Sequence, residues 1–173
     1  MLSRNIEEAF NDQMNFEMYS ANIYLSMATW FDSTNLPGFA NWMKVQYQEE
    51  MFHAMKFQGF INERGGRALI KGIQAPPTEW DSPLAAFENA LAHERIVTGR
   101  INGLVTMAAE EKDHASVSFL QWFVGEQVEE ESSVDAVVQQ LKLVAGAPGA
   151  MFMLDRELGA RTFTPPAAQG DAG

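Results

Sequence analysis

Glu50 and His53 stand three residues apart, and Glu50 shares a peculiarity with Glu17, Glu94 and Glu130. Each of these glutamates interrupts a run of apolar residues at helical spacing. In steps of four and three, the first run reads Phe10, Met14, Glu17, Ala21, Tyr24 and Ala28. The second reads Leu36, Ala40, Met43, Tyr47, Glu50, Ala54, Phe57 and Ile61. The third is Leu84, Phe87, Leu91, Glu94, Thr98, Ile101, Val105 and Ala108, and the fourth is Leu120, Phe123, Gln127, Glu130, Val134, Val137, Leu141 and Val144. An isolated carboxylate in a low-dielectric core is costly, so buried charges are paired or bind metal. No Lys or Arg stands in these runs near the glutamates. Either the carboxyls stay protonated or a pair of multivalent cations neutralises them.

The residue types narrow the cation. Glu50 and His53 project from one helix face, and Gln127 lies one turn from Glu130. The set is oxygen-rich with a single imidazole. A structural zinc site calls for more Cys or His, and calcium is ordinarily served by a loop of carboxylates and carbonyls. Carboxylates inside a helical bundle, with a Glu able to bridge two ions, suit a di-iron or di-manganese pair and hence redox chemistry.

Four long helices have to bring these residues together. Turn signals at Asp32–Asn35, Arg64–Arg67, Ala75–Pro77, Asp81–Pro83 and Gly146–Gly149 divide the chain. The periodicity predicts helices over about 3–31, 37–64, 83–111 and 114–145, with a short fifth over about 149–160. Pro37 suits a first helical turn, and Ser82-Pro83 reads as a cap followed by a first-turn proline. The first and second pairs of helices are joined by short links and form antiparallel hairpins. The middle link, about 65–81, is long: some seventeen extended residues reach about 56–61 Å, against about 42 Å for a helix of about 28 residues. The second and third helices can therefore run parallel. The expected fold is all-α, a ferritin-like four-helix bundle with one long crossover. Leu69, Ile70 and Ile73 in that crossover call for a packing surface, on the same bundle or on a neighbouring subunit. The helix midpoints fall near residues 17, 50, 97 and 129, which puts the four glutamates within about one turn of one level. The bundle domain spans 1–161, and 162–173, rich in Pro, Ala and Gly, reads as a flexible tail.

Composition excludes several classes. The 173 residues carry 12 Lys and Arg against 23 Asp and Glu, a net charge of -11 that argues against a nucleic-acid partner. With 46% hydrophobic and 20% charged residues, the chain can bury a full core. No apolar run is long enough to span a membrane. The absence of cysteine removes thiolate nucleophiles, Cys-zinc sites and disulfides. Glu7 and Glu8 fall where a signal peptide would be apolar, so a cytoplasmic location is expected.

Four stretches carry a family likeness: Asn-Phe-Glu-Met-Tyr-Ser-Ala-Asn-Ile-Tyr-Leu at 15–25, Gln-Glu-Glu-Met-Phe-His-Ala at 48–54, Ala-His-Glu at 92–94, and Trp-Phe-Val-Gly-Glu-Gln-Val-Glu-Glu-Glu at 122–131. With them the chain resembles the ferritins from about residue 3 to about 160, most closely the bacterial non-haem group. The resemblance implies an iron-storage protein with ferroxidase activity that oxidises Fe2+ with dioxygen or peroxide. One iron would be held by Glu17, Glu50 and His53, and Glu50 would bridge to a second held with Glu94 and Glu130, Gln127 lying at its edge. A third iron site would use Glu49, Glu126, Glu129 and Glu130. For Glu126 and Glu129, a solvated acidic face is the alternative. Tyr24 matches a tyrosine that donates an electron or a hydrogen bond beside the centre, and core packing with a polar handle accounts for it equally. Packing accounts equally for Trp122, which resembles a near-site tryptophan of the family. The family also implies a homo-oligomeric shell, usually of twenty-four chains, with the short fifth helix (Met151, Phe152, Leu154, Leu158) around a symmetry axis.

Bacterioferritin, the nearest rival, has a second Glu-x-x-His on the fourth helix, where this chain has Gln127-Val128-Glu129-Glu130. Bacterioferritins also carry a haem-binding Met after the second-helix Glu, as Met51 stands here. Non-haem relatives can have Met there too, so haem is not expected. DNA-protecting mini-ferritins place their metals between subunits and would favour a Lys-rich arm. A di-iron oxidase of a small molecule and a passive cation store are the remaining alternatives. His93 and His114 read as surface residues without a role.

Overall fold

The computed structural model describes residues 1–165, and part of the expected tail, 166–173, lies outside the described residues. The helices are α1 (Arg4–Ser33), α2 (Pro37–Glu63), α3 (Pro83–Glu110), α4 (His114–Leu143) and α5 (Pro148–Leu158). Among the described residues there is no strand. The all-α expectation therefore holds, and the helix ends have local causes. Ser3 Oγ accepts from the Ile6 amide at 3.2 Å, and Ser82 Oγ accepts from Ala85 at 3.1 Å, each filling a donor that a helix start leaves open. Pro37, Pro83 and Pro148 begin their helices, where a missing N–H costs nothing. α1 runs past the expected end because Asn35, at φ 60°, turns the chain left-handed and lets the Leu36 amide reach Phe31 O at 3.1 Å.

The crossover settles topology. Its backbone lies along α1, held by side chains one turn apart. The Arg67 amide donates to Glu7 Oε1 (2.9 Å), the Leu69 amide to Asn11 Oδ1 (2.6 Å) and the Lys71 amide to Asn15 Oδ1 (2.7 Å). Asn15 Nδ2 returns a bond to Leu69 O at 2.8 Å, and further on Ser26 Oγ donates to Pro77 O at 2.6 Å. The link thus travels from the start of α1 toward its end and delivers α3 beside the α1–α2 turn. α2 and α3 are parallel. At the opposite end, Arg64 makes two bonds of 3.1 Å to Asp113, tying the end of α2 to the start of α4. Ala68 and Trp80 of the crossover pack against the bundle, whereas Leu69, Ile70 and Ile73 remain 45%, 67% and 37% exposed.

Two apolar lobes fill the bundle. One contains Ile6, Phe10, Met14, Phe57, Ile61, Ile101, Leu120 and Phe123. The other contains Tyr24, Met27, Phe31, Phe39, Met43, Phe87, Val134 and Leu141, and it also takes Leu154 and Leu158 of α5. Between them lies a polar layer in which Glu17, Gln46, Glu50, His53, Glu94, Gln127 and Glu130 are all buried. α5 is seated by an anion at a helix start: Asp155 Oδ1 accepts from the Gly38 and Phe39 amides at 2.8 and 3.1 Å. Gly38 permits that approach, because a Cβ there would lie 1.6 Å from Asp155 O. Gly38→Ala is expected to push α5 off the bundle, costing about 1–3 kcal/mol. It should lower Tm and open the chain to trypsin at Arg156. A variant as trypsin-resistant and heat-stable as the parent would contradict this seating.

Candidate metal centre

Each helix contributes one carboxylate to the layer, and each has a defined neighbour. On α1, Glu17 Oε1 accepts from Gln13 Nε2 at 2.8 Å, and Gln13 Oε1 accepts from Arg100 Nε at 2.8 Å. Arg100 itself rests 4.1 Å above the Phe16 ring, so its charge stops one side chain short of Glu17. On α3, Glu94 Oε1 accepts from the Tyr24 hydroxyl, and its Oε2 accepts from Gln127 Nε2 at 3.2 Å. On α4, Glu130 Oε2 accepts from Gln46 Nε2 at 2.8 Å. On α2, Glu50 Oε2 lies 3.5 Å from His53 Nδ1 and has no hydrogen bond, and Glu17 Oε2 is likewise buried without a partner. Buried carboxylate oxygens without donors are costly, and here two of them adjoin one imidazole. Ligand atoms of Glu17, Glu50 and His53 all lie within 4.8 Å of one another, a spacing that could hold a metal ion.

Electrostatics follows from burial. Desolvation is the main force raising the Glu17 carboxyl to about 7, tempered by the Gln13 bond. Desolvation pushes Glu50 well above the usual carboxylate range, helped by the charges of Glu94 and Glu17. Glu130 is likewise raised well above it, and Glu94 is raised although Tyr24 and Gln127 donate to it. Burial lowers His53 to about 4, leaving a neutral imidazole free to ligate. Its ring is fixed edge-on against Trp122 and Phe123, centroids 5.5 and 5.8 Å away. Tyr24 is completely buried and faces the charges of Glu94, Glu50 and Glu130.

The expected third-site residues are placed differently. Glu49 and Glu126 are half-buried and Glu129 is exposed. All three line a cavity of about 240 Å³ with Phe52, His53, Trp122, Phe163 and Thr164. Glu49 Oε2 already accepts from Arg161 Nη2 at 2.6 Å. Met51 is half-buried and His114 is exposed. His93 is a correction: it is 6% exposed rather than on the surface, its ring stacked on Phe16 and its Nε2 2.7 Å from Ser20 Oγ. It sits beside the apolar stripe of α3 on the flank covered by α1, and burial lowers it to about 4. Periodicity also passed over Gln13 and Gln46, although each stands four residues before a stripe glutamate, one turn away.

Fold and polar layer together define the class, a ferritin-like bundle with a carboxylate core. A family profile described as the ferritin-like domain matches residues 7–144. The bacterial non-heme ferritin of Staphylococcus aureus (strain USA300) is 42% identical over 163 residues, covering 94% of this chain and 98% of the relative. The Staphylococcus haemolyticus protein of the same name is also 42% identical over the same shares. Among solved structures, a closed form of the Archaeoglobus fulgidus ferritin engineered by site-directed mutagenesis superposes with TM-score 0.94 at 54% identity, covering 95% of this chain and 100% of that one. The open-pore ferritin from the same archaeon gives 0.92 at 53% identity, covering 94% and 100%. The chain belongs to the ferritin family. Among the described residues, no helix is long and apolar enough to cross a membrane.

The raised carboxyls set a pH dependence. Glu17 is protonated in the metal-free fold up to about 7 against 4.5 ordinarily, so its stabilisation is full below 4.5 and lost as pH rises through 7. Glu50 and Glu130, raised well above the usual carboxylate range by burial, act in the same direction. The buried histidines, lowered to about 4 from 6.5, act oppositely but add nothing further above 6.5. Metal-free protein should therefore lose Tm as pH rises from about 6.5 through about 7, and a divalent ion should abolish the fall. A flat metal-free profile over that window would contradict the burial of these charges.

Proposed function

We propose that this chain is an iron-storage ferritin of the cytoplasm with ferroxidase activity, and that iron is both substrate and cargo. The observation that carries the proposal is the polar layer: four buried carboxylates and a neutral imidazole at one level, with orphaned oxygens on Glu17 and Glu50. The named relatives, non-heme ferritins, support iron rather than manganese. Glu17, Glu50 and His53 hold one Fe2+, and Glu50 bridges to a second held with Glu94 and Glu130, Gln127 standing beside it. Hard anionic oxygens favour the trivalent ion, which lowers the barrier to losing an electron. Two Fe2+ together deliver two electrons; dioxygen takes them with two protons and leaves as hydrogen peroxide, and peroxide takes two more of each to give water. Binding two cations expels the protons that desolvation keeps on the carboxyls. Tyr24 orients Glu94 through its hydroxyl, and its position against three carboxylates also suits electron donation. Glu49, Glu126 and Glu129, which line the cavity beside His53, form a third iron site with the buried Glu130. That cavity is small and acidic, which suits a cation and not an organic substrate. Haem has no place in this reading.

Oxidised iron then passes into a hollow homo-oligomeric shell, of twenty-four chains by family likeness, and hydrolyses to mineral. Exposed apolar residues support assembly: Phe152 and Met153 on α5 are 61% and 64% exposed, and Leu143 at the end of α4 is 85% exposed. The net charge of -11 would concentrate Fe2+ around the shell.

Anaerobic Fe2+ loading followed by an oxygen pulse, read in the near-UV and visible, tests the proposal. A burst saturating at about two to three irons per chain is expected. Glu50→Ala should abolish the burst while the particle still elutes at shell size. Oxidation at the parental rate in that variant, or a parent no faster than buffer, would overturn the assignment.

A further inference from the structure

The chain beyond α5 does not leave the bundle. Asn41 Nδ2 donates to Arg161 O at 2.9 Å, which binds the segment following α5 to the side of α2. From there the Arg161 guanidinium lies 4.4 Å from the Trp42 ring and makes the 2.6 Å ion pair with Glu49. Its second terminal nitrogen, Nη1, is buried with no hydrogen-bond partner among the described residues. Two residues on, Phe163 packs on Phe52 with ring centroids 6.4 Å apart, and with Thr164 it forms one wall of the acidic cavity that reaches His53. Residues 159–164 are thus a strap, and a cation of the chain itself sits on one of the carboxylates assigned above to the third iron.

We propose that Arg161 is an internal competitor for the third-site cation: its guanidinium holds Glu49 until a metal ion displaces it, so the strap sets that site's affinity. The inference rests on the ferroxidase reading above. Charge and geometry explain why the exchange is feasible. Arg161 and Glu49 side chains are each only 24% exposed, so desolvation offsets much of their attraction and the net gain of the pair is modest. An ion of higher charge gathers Glu49, Glu126, Glu129 and Glu130 together, which a single guanidinium cannot do. Released Arg161 keeps the Trp42 face as a resting place, where stacking suits its planar group better than a lysine ammonium. The latch therefore opens without unfolding the strap. It also keeps Glu49 neutralised while the site is metal-free, which stops monovalent ions from collecting there.

Zn2+, redox-inert and divalent, separates binding from oxidation. Calorimetric titration of the metal-free assembled protein should show two tight ions per chain and a weaker third. Arg161→Gln is expected to tighten the third by about tenfold, the worth of one partly exposed charge-assisted bond, and to leave the first two unchanged. Adding Glu49→Gln to that variant should remove the gain. Phe163→Ala, which loosens the strap while keeping the charge, should tighten the third ion in the same direction by a smaller factor, so the test survives if Arg161→Gln fails to assemble. A third-site affinity equal to the parent's or weaker in both variants, with the tight pair intact, would overturn the latch alone. A parent with no tight pair would overturn the ferroxidase reading and the latch with it.

Discussion

Desolvation of four carboxylates at one level of the bundle is the constraint on which the rest of this structure depends. Glu17, Glu50 and Glu94 are at most 1% exposed and Glu130 is 6% exposed, and among the described residues no Lys or Arg forms an ion pair with any of them. A bundle built for stability alone would place apolar residues there, since buried charge rarely repays its dehydration. Here the layer splits the core into two lobes, each of which has to be stable enough to carry it. The Phe10–Phe57–Phe123 side and the Phe31–Phe39–Phe87 side provide that packing in dense aromatic clusters. The long helices follow from the same need, because only elements that run through both lobes can hold a carboxylate between them.

Partners of the carboxylates decide which oxygens remain open. Gln13, Gln46, Gln127 and Tyr24 each satisfy one oxygen, and they do so without contributing charge. Arg100 could have neutralised Glu17 outright, but Gln13 stands between them and passes on only a dipole. This is the arrangement of a site that keeps its affinity for a cation from outside: side chains are oriented by neutral donors, and no charge of the bundle pairs with the carboxyls once they ionise. The outer cavity behaves differently. There Arg161 does reach Glu49, and the chain supplies its own counter-ion beside a cavity where desolvation offsets much of the pair's attraction.

Much of this was legible in the residues. Glutamate is seldom buried without a partner, so four of them inside apolar stripes stood out, and the length of the 65–81 link was enough to let α2 and α3 run parallel. What periodicity could not reach depends on contacts across the bundle. Gln46 lies one turn from Glu50 yet serves Glu130, a pairing between helices that local spacing does not encode. Asn11 and Asn15 prove to be the track for the crossover, a role that helical periodicity does not mark. His93 was misread because one step off the stripe of α3 is surface only where no neighbouring helix covers it. The end of the bundle was drawn at 161 because Pro and Gly dominate afterwards. Phe163 nevertheless packs on Phe52, more than a hundred residues away in sequence, and with Thr164 lines the cavity beside His53.

The most direct test of the central claim is where iron goes. Anomalous diffraction at the iron edge, on crystals loaded with Fe2+ without oxygen, reads this without reference to rate. The account predicts two peaks inside every bundle, one touching Glu17, Glu50 and His53, the other touching Glu50, Glu94 and Glu130. Iron found only on surface carboxylates, with the polar layer empty, would contradict it.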